Sequence, residues 1–281
     1  MSDIITGECG SYCTGLFDSH AHYFDKRFSV ETDGADAILK ECVFGRGIVG
    51  VINIGTNTKN SRVCIEQASR YDKMYATVGI HPEDVAYLDG VLTDELDDLY
   101  SLVSSSEKIR QNKIVAIGEI GYDYHYEGFD KGLQRECFEA QLCLAEKCGL
   151  PVVIHDREAH GDCFETVLRY PNVRGVFHSF SGSAEMAREL VKRGWYISFS
   201  GVLTFKNARK TVEVAAAVPM DRILLETDCP YLAPHPFRGK INHSGLMYLT
   251  ASKLAEIKGM TFDDVACATT ENVCRLFDIK V

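Results

Sequence analysis

Ile114-Val115-Ala116-Ile117-Gly118-Glu119 is an apolar run that closes on a carboxylate. The pattern recurs along the chain. Pro151-Val152-Val153-Ile154 closes on His155, and Gly175-Val176-Phe177 closes on His178. Ile223-Leu224-Leu225 runs into Glu226-Thr227-Asp228, and Gly15-Leu16-Phe17-Asp18 into Ser19-His20-Ala21-His22. Continuous runs of Val and Ile at this length read as strands buried on both faces. Histidines and carboxylates at several strand ends converge only if those ends share one side of a sheet or barrel.

Working outward, the strand-like segments are 15–18, 49–54, 74–78, 114–119, 151–155, 175–178, 195–200 and 223–228. Amphipathic stretches of helical length separate them, at 58–71, 93–109, 132–148, 184–193 and 208–218, and two more, 245–258 and 262–277, close the chain. Eight strands alternating with helices predict an α/β fold, a (β/α)8 TIM barrel. A doubly wound open sheet is the rival. The barrel is preferred because the polar strand ends belong to the first, fourth, fifth, sixth and eighth strands, which only a closed ring brings around one mouth. No linker or repeat divides the sequence, so it reads as a short lead, residues 1–14, followed by one domain, residues 15–281. The loop Tyr231–Ser244, with Pro234, Pro236 and Gly239, follows strand eight and is expected to overhang the mouth.

The composition sets limits. With 40 acidic and 30 basic residues the formal net charge is -10, unlike a protein that coats duplex DNA through a basic face. Action on nucleic acid is therefore expected at a strand end or over a few nucleotides. The 11 cysteines are an odd number without a C-x-x-C pair, which predicts reduced thiols in a cytoplasmic protein. Cys9 and Cys13, close together in the lead, have no second pair to complete a metal site. No run is long enough to span a bilayer.

The chemistry follows from the strand ends. His20 and His22, two apart, face the same way with Asp18 and can grip one ion. Glu119, at the end of an apolar strand, is costly to bury unless it meets a cation or donors. Asp228 sits nearer the mouth than Glu226, so it is read as ligand and proton acceptor, with Glu226 orienting a ligand from behind. His20, His22, Glu119, His155, His178 and Asp228 exceed what one catalytic ion needs. Two divalent ions about 3.5–4 Å apart, sharing Glu119 and a hydroxide, fit hydrolysis by in-line attack. Nitrogen and oxygen donors suit Zn, Mn, Mg, Fe or Co. His81, Arg157, Arg238 and Lys240 are candidate substrate contacts. Tyr124, His125 and Tyr126 are candidates for stacking on a base. His160 falls in the helix after strand five and reads as structural or exposed, and Cys229 faces away from Asp228.

Together, Phe17-Asp18-Ser19-His20-Ala21-His22, Val78-Gly79-Ile80-His81-Pro82, Ile117-Gly118-Glu119-Ile120-Gly121-Tyr122-Asp123-Tyr124, Leu150-Pro151-Val152-Val153-Ile154-His155, Phe177-His178-Ser179-Phe180-Ser181-Gly182 and Leu225-Glu226-Thr227-Asp228-Cys229-Pro230-Tyr231-Leu232 resemble the TatD family of metal-dependent hydrolases and deoxyribonucleases. The tail, Thr270-Glu271-Asn272 with Arg275-Leu276-Phe277, resembles the family's as well. The resemblance implies a (β/α)8 barrel and a metal-dependent phosphodiesterase. It implies that His20 and His22 hold one ion and His155 and His178 the second, with Glu119 shared and Asp228 as ligand and base. The implied substrate is DNA, single-stranded or at duplex ends, often cut as by an exonuclease. RNA or tRNA is the alternative, through a D-aminoacyl-tRNA deacylase activity on the same ions. A non-catalytic binding module is the remaining reading. The chain departs from the family pattern after strand eight, where Phe237 replaces a histidine before Arg238 and His243-Ser244 replaces Glu-Pro after Asn242.

Overall fold

Uncharged runs of Val, Ile and Ala gain most when both faces leave water, and that requirement selects strands flanked by helices. The computed structural model of the chain describes residues 15–87 and 92–280. In chain order the elements are β1 (Leu16–Ala21), α1 (Lys26–Glu31), α2 (Ala35–Ile38), β2 (Ile48–Asn53), α3 (Thr58–Arg70), β3 (Met74–Val78), α4 (Leu92–Leu102), α5 (Ser106–Gln111), β4 (Ile114–Asp123), α6 (Lys131–Cys148), β5 (Val152–Arg157), α7 (His160–Leu168), β6 (Gly175–Phe177), α8 (Ala184–Lys192), β7 (Tyr196–Phe199), α9 (Arg209–Ala217), β8 (Ile223–Leu225), α10 (Met247–Lys258) and α11 (Phe262–Phe277). The strands follow one another in sequence order in a single sheet. The lead, residues 1–14 with Cys9 and Cys13, lies outside the described residues. The nine described cysteines are free thiols. Among the described residues no helix is long and apolar enough to cross a membrane.

The described residues divide into two compact units, those within Met1–Ile52 and Ser183–Val281 and those within Asn53–Gly182. In the second unit β3, β4, β5 and β6 pair in parallel. All ten residues of β4 are buried. Its register against β5 sets Gly121 beside His155 and Asp123 beside Arg157, with an irregularity between Ile117 and Ile120. Such an irregularity re-aims side chains, here Glu119. Gly121 is at φ +145, and a Cβ there would lie 2.0 Å from the His155 carbonyl oxygen. Only glycine permits that approach.

In the first unit β7 pairs in parallel with β8, Phe199 opposite Leu225. β1 joins the segment after β8 by a bridge between Ala21 and Cys229, with Asp228 N donating to His20 O at 2.9 Å and His22 N to Cys229 O at 2.8 Å. The tail motif has a structural role. Asn272, buried in α11, donates to the carbonyls of Met220 and Ile223 at 2.8 and 2.9 Å. Thr270 donates to Gly15 O at 3.0 Å.

Several boundaries differ from expectation. The stretch 93–109 is two helices, because Ser105 leaves the helical conformation and accepts from Lys108 N as a new N-cap. β4 runs four residues past Glu119, and β1 runs on to Ala21. β8 stops at Leu225, and Asp228 lies beyond it at φ 58. β6 stops one residue before His178.

A Cβ on Gly79 would meet the Gly118 carbonyl carbon at 2.6 Å and Glu119 N at 2.9 Å. Backbone cannot yield as a side chain does, so Gly79→Ala should lower unfolding free energy by about 1–3 kcal/mol. Urea titration of the metal-free protein checks this; an unchanged midpoint would show that β3 and β4 separate at no cost.

Candidate functional site

In the first unit, strand alternation puts His20 and His22 on one face at the end of β1. Their Nε2 atoms lie 3.1 Å apart. Asp228 Oδ1 is 3.3 Å from His22 Nε2 and 3.7 Å from His20 Nε2. Donors held about 2.0–2.1 Å from one tetrahedral ion stand roughly 3.3 Å from each other. The three separations bracket that value, so this set fits a divalent ion. Asp228 owes its aim to a left-handed backbone that few side chains tolerate. Its neighbour Thr227 donates to Asp18 Oδ2 at 2.6 Å, and Asn242 Nδ2 donates to the carbonyls of Thr227 and Tyr231 at 2.9 and 2.7 Å.

Asp18 itself is fully buried. Burial pushes its carboxyl up to about 7, against hydrogen bonds from Ser244, Thr227 and the His20 amide that favour the charged form. Ser244, one of the two residues after Asn242 that depart from the family pattern, also bonds Tyr23 Oη at 2.7 Å. His243, the other, has a buried Nδ1 without a hydrogen-bond partner, and burial lowers its pKa. Glu226 is buried and accepts a hydrogen bond from Ser198 Oγ.

In the second unit one carboxylate oxygen organises the cluster. Glu119 Oε1 lies 2.7 Å from His155 Nδ1, 2.8 Å from His178 Nε2 and 3.5 Å from His81 Nε2. His155 Nδ1 and His178 Nε2 are 3.2 Å apart. Imidazole protons shared with the carboxylate hold these groups slightly closer than a common ion would, and nitrogen and oxygen donors of this kind suit a divalent metal. His81, expected to contact substrate phosphate or to support a ligand from behind, is part of the cluster. Its Nδ1 accepts from Glu83 N at 3.1 Å, which leaves Nε2 toward Glu119.

Sequence reading missed Asp123. Its Oδ2 lies 2.9 Å from His155 Nε2, the ring nitrogen opposite Glu119. A carboxylate in that position fixes ring orientation and raises ligand basicity. The signal was present in the sequence: Glu119 and Asp123 are four apart, on the same face of an extended strand, had β4 been read past Glu119. Burial works against ionised groups here, but the hydrogen bonds prevail. His155 is pushed up to about 9 by Asp123 and Glu119, and Asp123 is brought down to about 2 by His155 and the His125 amide.

The remaining candidates are distributed. Arg157 is engaged with Glu83 at 3.5 Å and Asp123 at 3.7 Å, and it lies over the Tyr126 ring at 5.1 Å. Tyr124 donates to Asp162, stacks on Phe129 and receives Lys131 at 4.1 Å, so its ring faces protein. His125 pairs with Glu158, and Tyr126 is exposed. His160 pairs with Asp156 at 2.8 Å, a structural role as expected. Arg238 and Lys240 are exposed on the loop after β8, Arg238 lying 4.5 Å over the Phe205 ring. Cys229 is buried.

The chain as a whole is similar to known proteins. The TatD related DNase family matches residues 17–278. The metal-dependent hydrolase YabD of Bacillus subtilis, named as uncharacterized, is 41% identical, over 94% of this chain and 100% of its own. The similarly named YcfH of Escherichia coli is 32% identical over 94% and 96%. Among solved structures, the TatD homolog YjjV of Escherichia coli superposes with a TM-score of 0.85 at 28% identity, covering 94% of this chain and 98% of its own. The fold is therefore the (β/α)8 barrel expected from the strand pattern.

Below about pH 9 His155 in the metal-free protein carries a proton, which a metal ion held through this ring would displace. Loading at neutral pH should release protons, and affinity should weaken as pH falls. Calorimetry in two buffers of different ionisation heat measures the count; identical heats would contradict it. Asp123→Asn should weaken metal retention by about 10–100-fold, read by metal analysis after dialysis.

Proposed function

Because the chain belongs to the TatD related DNase family, whose relatives are metal-dependent hydrolases, we propose that it hydrolyses phosphodiester bonds of DNA, working from strand ends. The observation that carries this reading is the buried Glu119 carboxylate facing three imidazole nitrogens, with Asp123 behind one of them. His20, His22 and Asp228 would hold one divalent ion, and Glu119, His155 and His178 a second. The donor set admits Zn, Mn, Mg, Fe or Co.

When bound, such ions supply Lewis acidity toward a phosphoryl oxygen and lower the pKa of water. The chain's own residues do the rest. Asp228 takes the proton from the attacking water, and its fixed backbone keeps the carboxylate aimed. Asp123 holds the His155 ring in one orientation, and Glu226, from the interior, does the same for groups nearer the mouth. Arg238 and Lys240 meet phosphate oxygens, with Arg157 and His81 as further contacts. Arg157 must exchange a carboxylate for the phosphate to do so. A reducing cytoplasm suits the free thiols.

The test combines metal analysis with cleavage of a 3′- or 5′-labelled single-stranded oligonucleotide. Asp228→Asn should lower kcat by about 10²–10⁴-fold, and His155→Ala should abolish turnover. Both should keep the wild-type circular dichroism spectrum. Full turnover in either variant would reject the assignment. Hydrolysis of D-aminoacyl-tRNA without cleavage of DNA would reassign the electrophile from phosphorus to an acyl carbon.

A further inference from the structure

In a chain of formal net charge -10, residues 201–212 and 229–255 contain neither Asp nor Glu. The first stretch follows β7 and carries Lys206, Arg209 and Lys210. The second follows β8 and carries Arg238 and Lys240 on its loop, and Lys253 further on in α10, where it pairs with Glu256 at 2.9 Å. Lys206, Arg209, Lys210, Arg238 and Lys240 are exposed residues, and among the described residues none of these five forms an ion pair with a carboxylate. Both stretches lie in the same unit, and three contacts fasten them together. His235 N donates to Thr204 Oγ1 at 2.8 Å. The Arg238 guanidinium lies 4.5 Å over the Phe205 ring. Gly201 approaches so closely that a Cβ would sit 2.1 Å from the Leu232 carbonyl oxygen.

The helix that starts on this surface breaks a local rule. α9 begins at Arg209-Lys210, its N-cap is Ala208 with no side-chain hydrogen bond, and its first turn holds no acid. Cations at a helix N-terminus oppose the peptide dipole, and unsatisfied N–H groups there favour an anion. A nearby acid, Glu213, lies one turn further along α9 and pairs with neither cation. Two aromatic residues, Phe237 at 39% exposure and Tyr231 at 42%, stand on the second stretch. The second stretch starts beside the His20, His22 and Asp228 cluster: Tyr231 N donates to Asp228 O at 2.9 Å.

We propose that Lys206, Arg209 and Lys210, with Phe205-stacked Arg238 and exposed Phe237, form a docking shelf for the phosphodiester backbone of a single nucleic-acid strand beyond the linkage being cut. Unpaired cations meet successive phosphates, the α9 N-terminus adds positive potential, and Phe237 offers a face to an unpaired base. A duplex end would present no such free base. The shelf explains how an acidic protein holds a polyanion, since five unpaired cations gather on two joined stretches free of acids. The inference deepens the reading of the chain as a nucleic-acid phosphodiesterase.

The test is binding, which needs no turnover. A fluorescein-labelled single-stranded oligonucleotide about a dozen nucleotides long is titrated with wild type and with the double variant Lys206→Gln, Lys210→Gln, across a range of salt, by fluorescence anisotropy. The slope of log affinity against log salt should become shallower by about 1.4, or 0.7 for each phosphate contact removed. The control Lys59→Gln, Lys73→Gln, which removes the same charge elsewhere, should leave the slope unchanged. Turnover of bis(p-nitrophenyl) phosphate, too small to reach the shelf, should be equal in all three proteins. An unchanged slope in the shelf variant, or an equal loss in the control, overturns the proposal. If wild type binds the oligonucleotide with the expected slopes but cleaves none, the shelf stands and the phosphodiesterase reading falls.

Discussion

A carboxylate at 3% exposure is the constraint around which the second unit is built. An ionised acid removed from water is strongly disfavoured unless charges or donors replace the lost hydration. Glu119 receives them from three strand-end histidines, and each histidine requires its own strand to end at the right height. The register of β4 on β5, the irregularity near Glu119 and the glycines at 79 and 121 all serve that height. The same geometry suits the cluster to a metal ion, because a divalent cation satisfies a buried carboxylate and neutral imidazoles together.

The first unit meets a similar demand by other means. Its carboxylate, Asp228, lies past the end of β8, where a left-handed turn and paired backbone hydrogen bonds to β1 hold it. A bonded chain of Asp18, Thr227, Ser244 and Tyr23 stands behind it. This gives a role to one departure from the family pattern. Ser244 supplies a hydroxyl and an amide N–H where proline has neither, and both are used by Tyr23. His243 brings an imidazole whose buried nitrogen finds no such partner.

Charge is distributed unevenly for a reason consistent with the proposed chemistry. Acids predominate over the chain as a whole, which disfavours indiscriminate binding to nucleic acid. On the two acid-free stretches after β7 and β8, Lys206, Arg209, Lys210, Arg238 and Lys240 stay unpaired among the described residues, while Lys253 pairs with Glu256. Arg157 shows the contrasting arrangement, a guanidinium occupied by Glu83 and Asp123. Exposed cations without partners are available to phosphate at no cost in broken ion pairs, whereas Arg157 must first give one up.

The sequence by itself determined the eight-strand alternation, the family and six candidate strand-end donors, because apolar runs that stop abruptly at a polar residue leave few ways to bury both. It did not disclose Asp123, nor that His81 belongs with Glu119, nor that Arg157 is engaged. Those depend on which residues of neighbouring strands stand at the same height, and register is a property of pairing between distant segments. Asp228 illustrates the division. Its candidacy as a donor was legible from Glu226-Thr227-Asp228, but its aim comes from a backbone turn held by contact with β1.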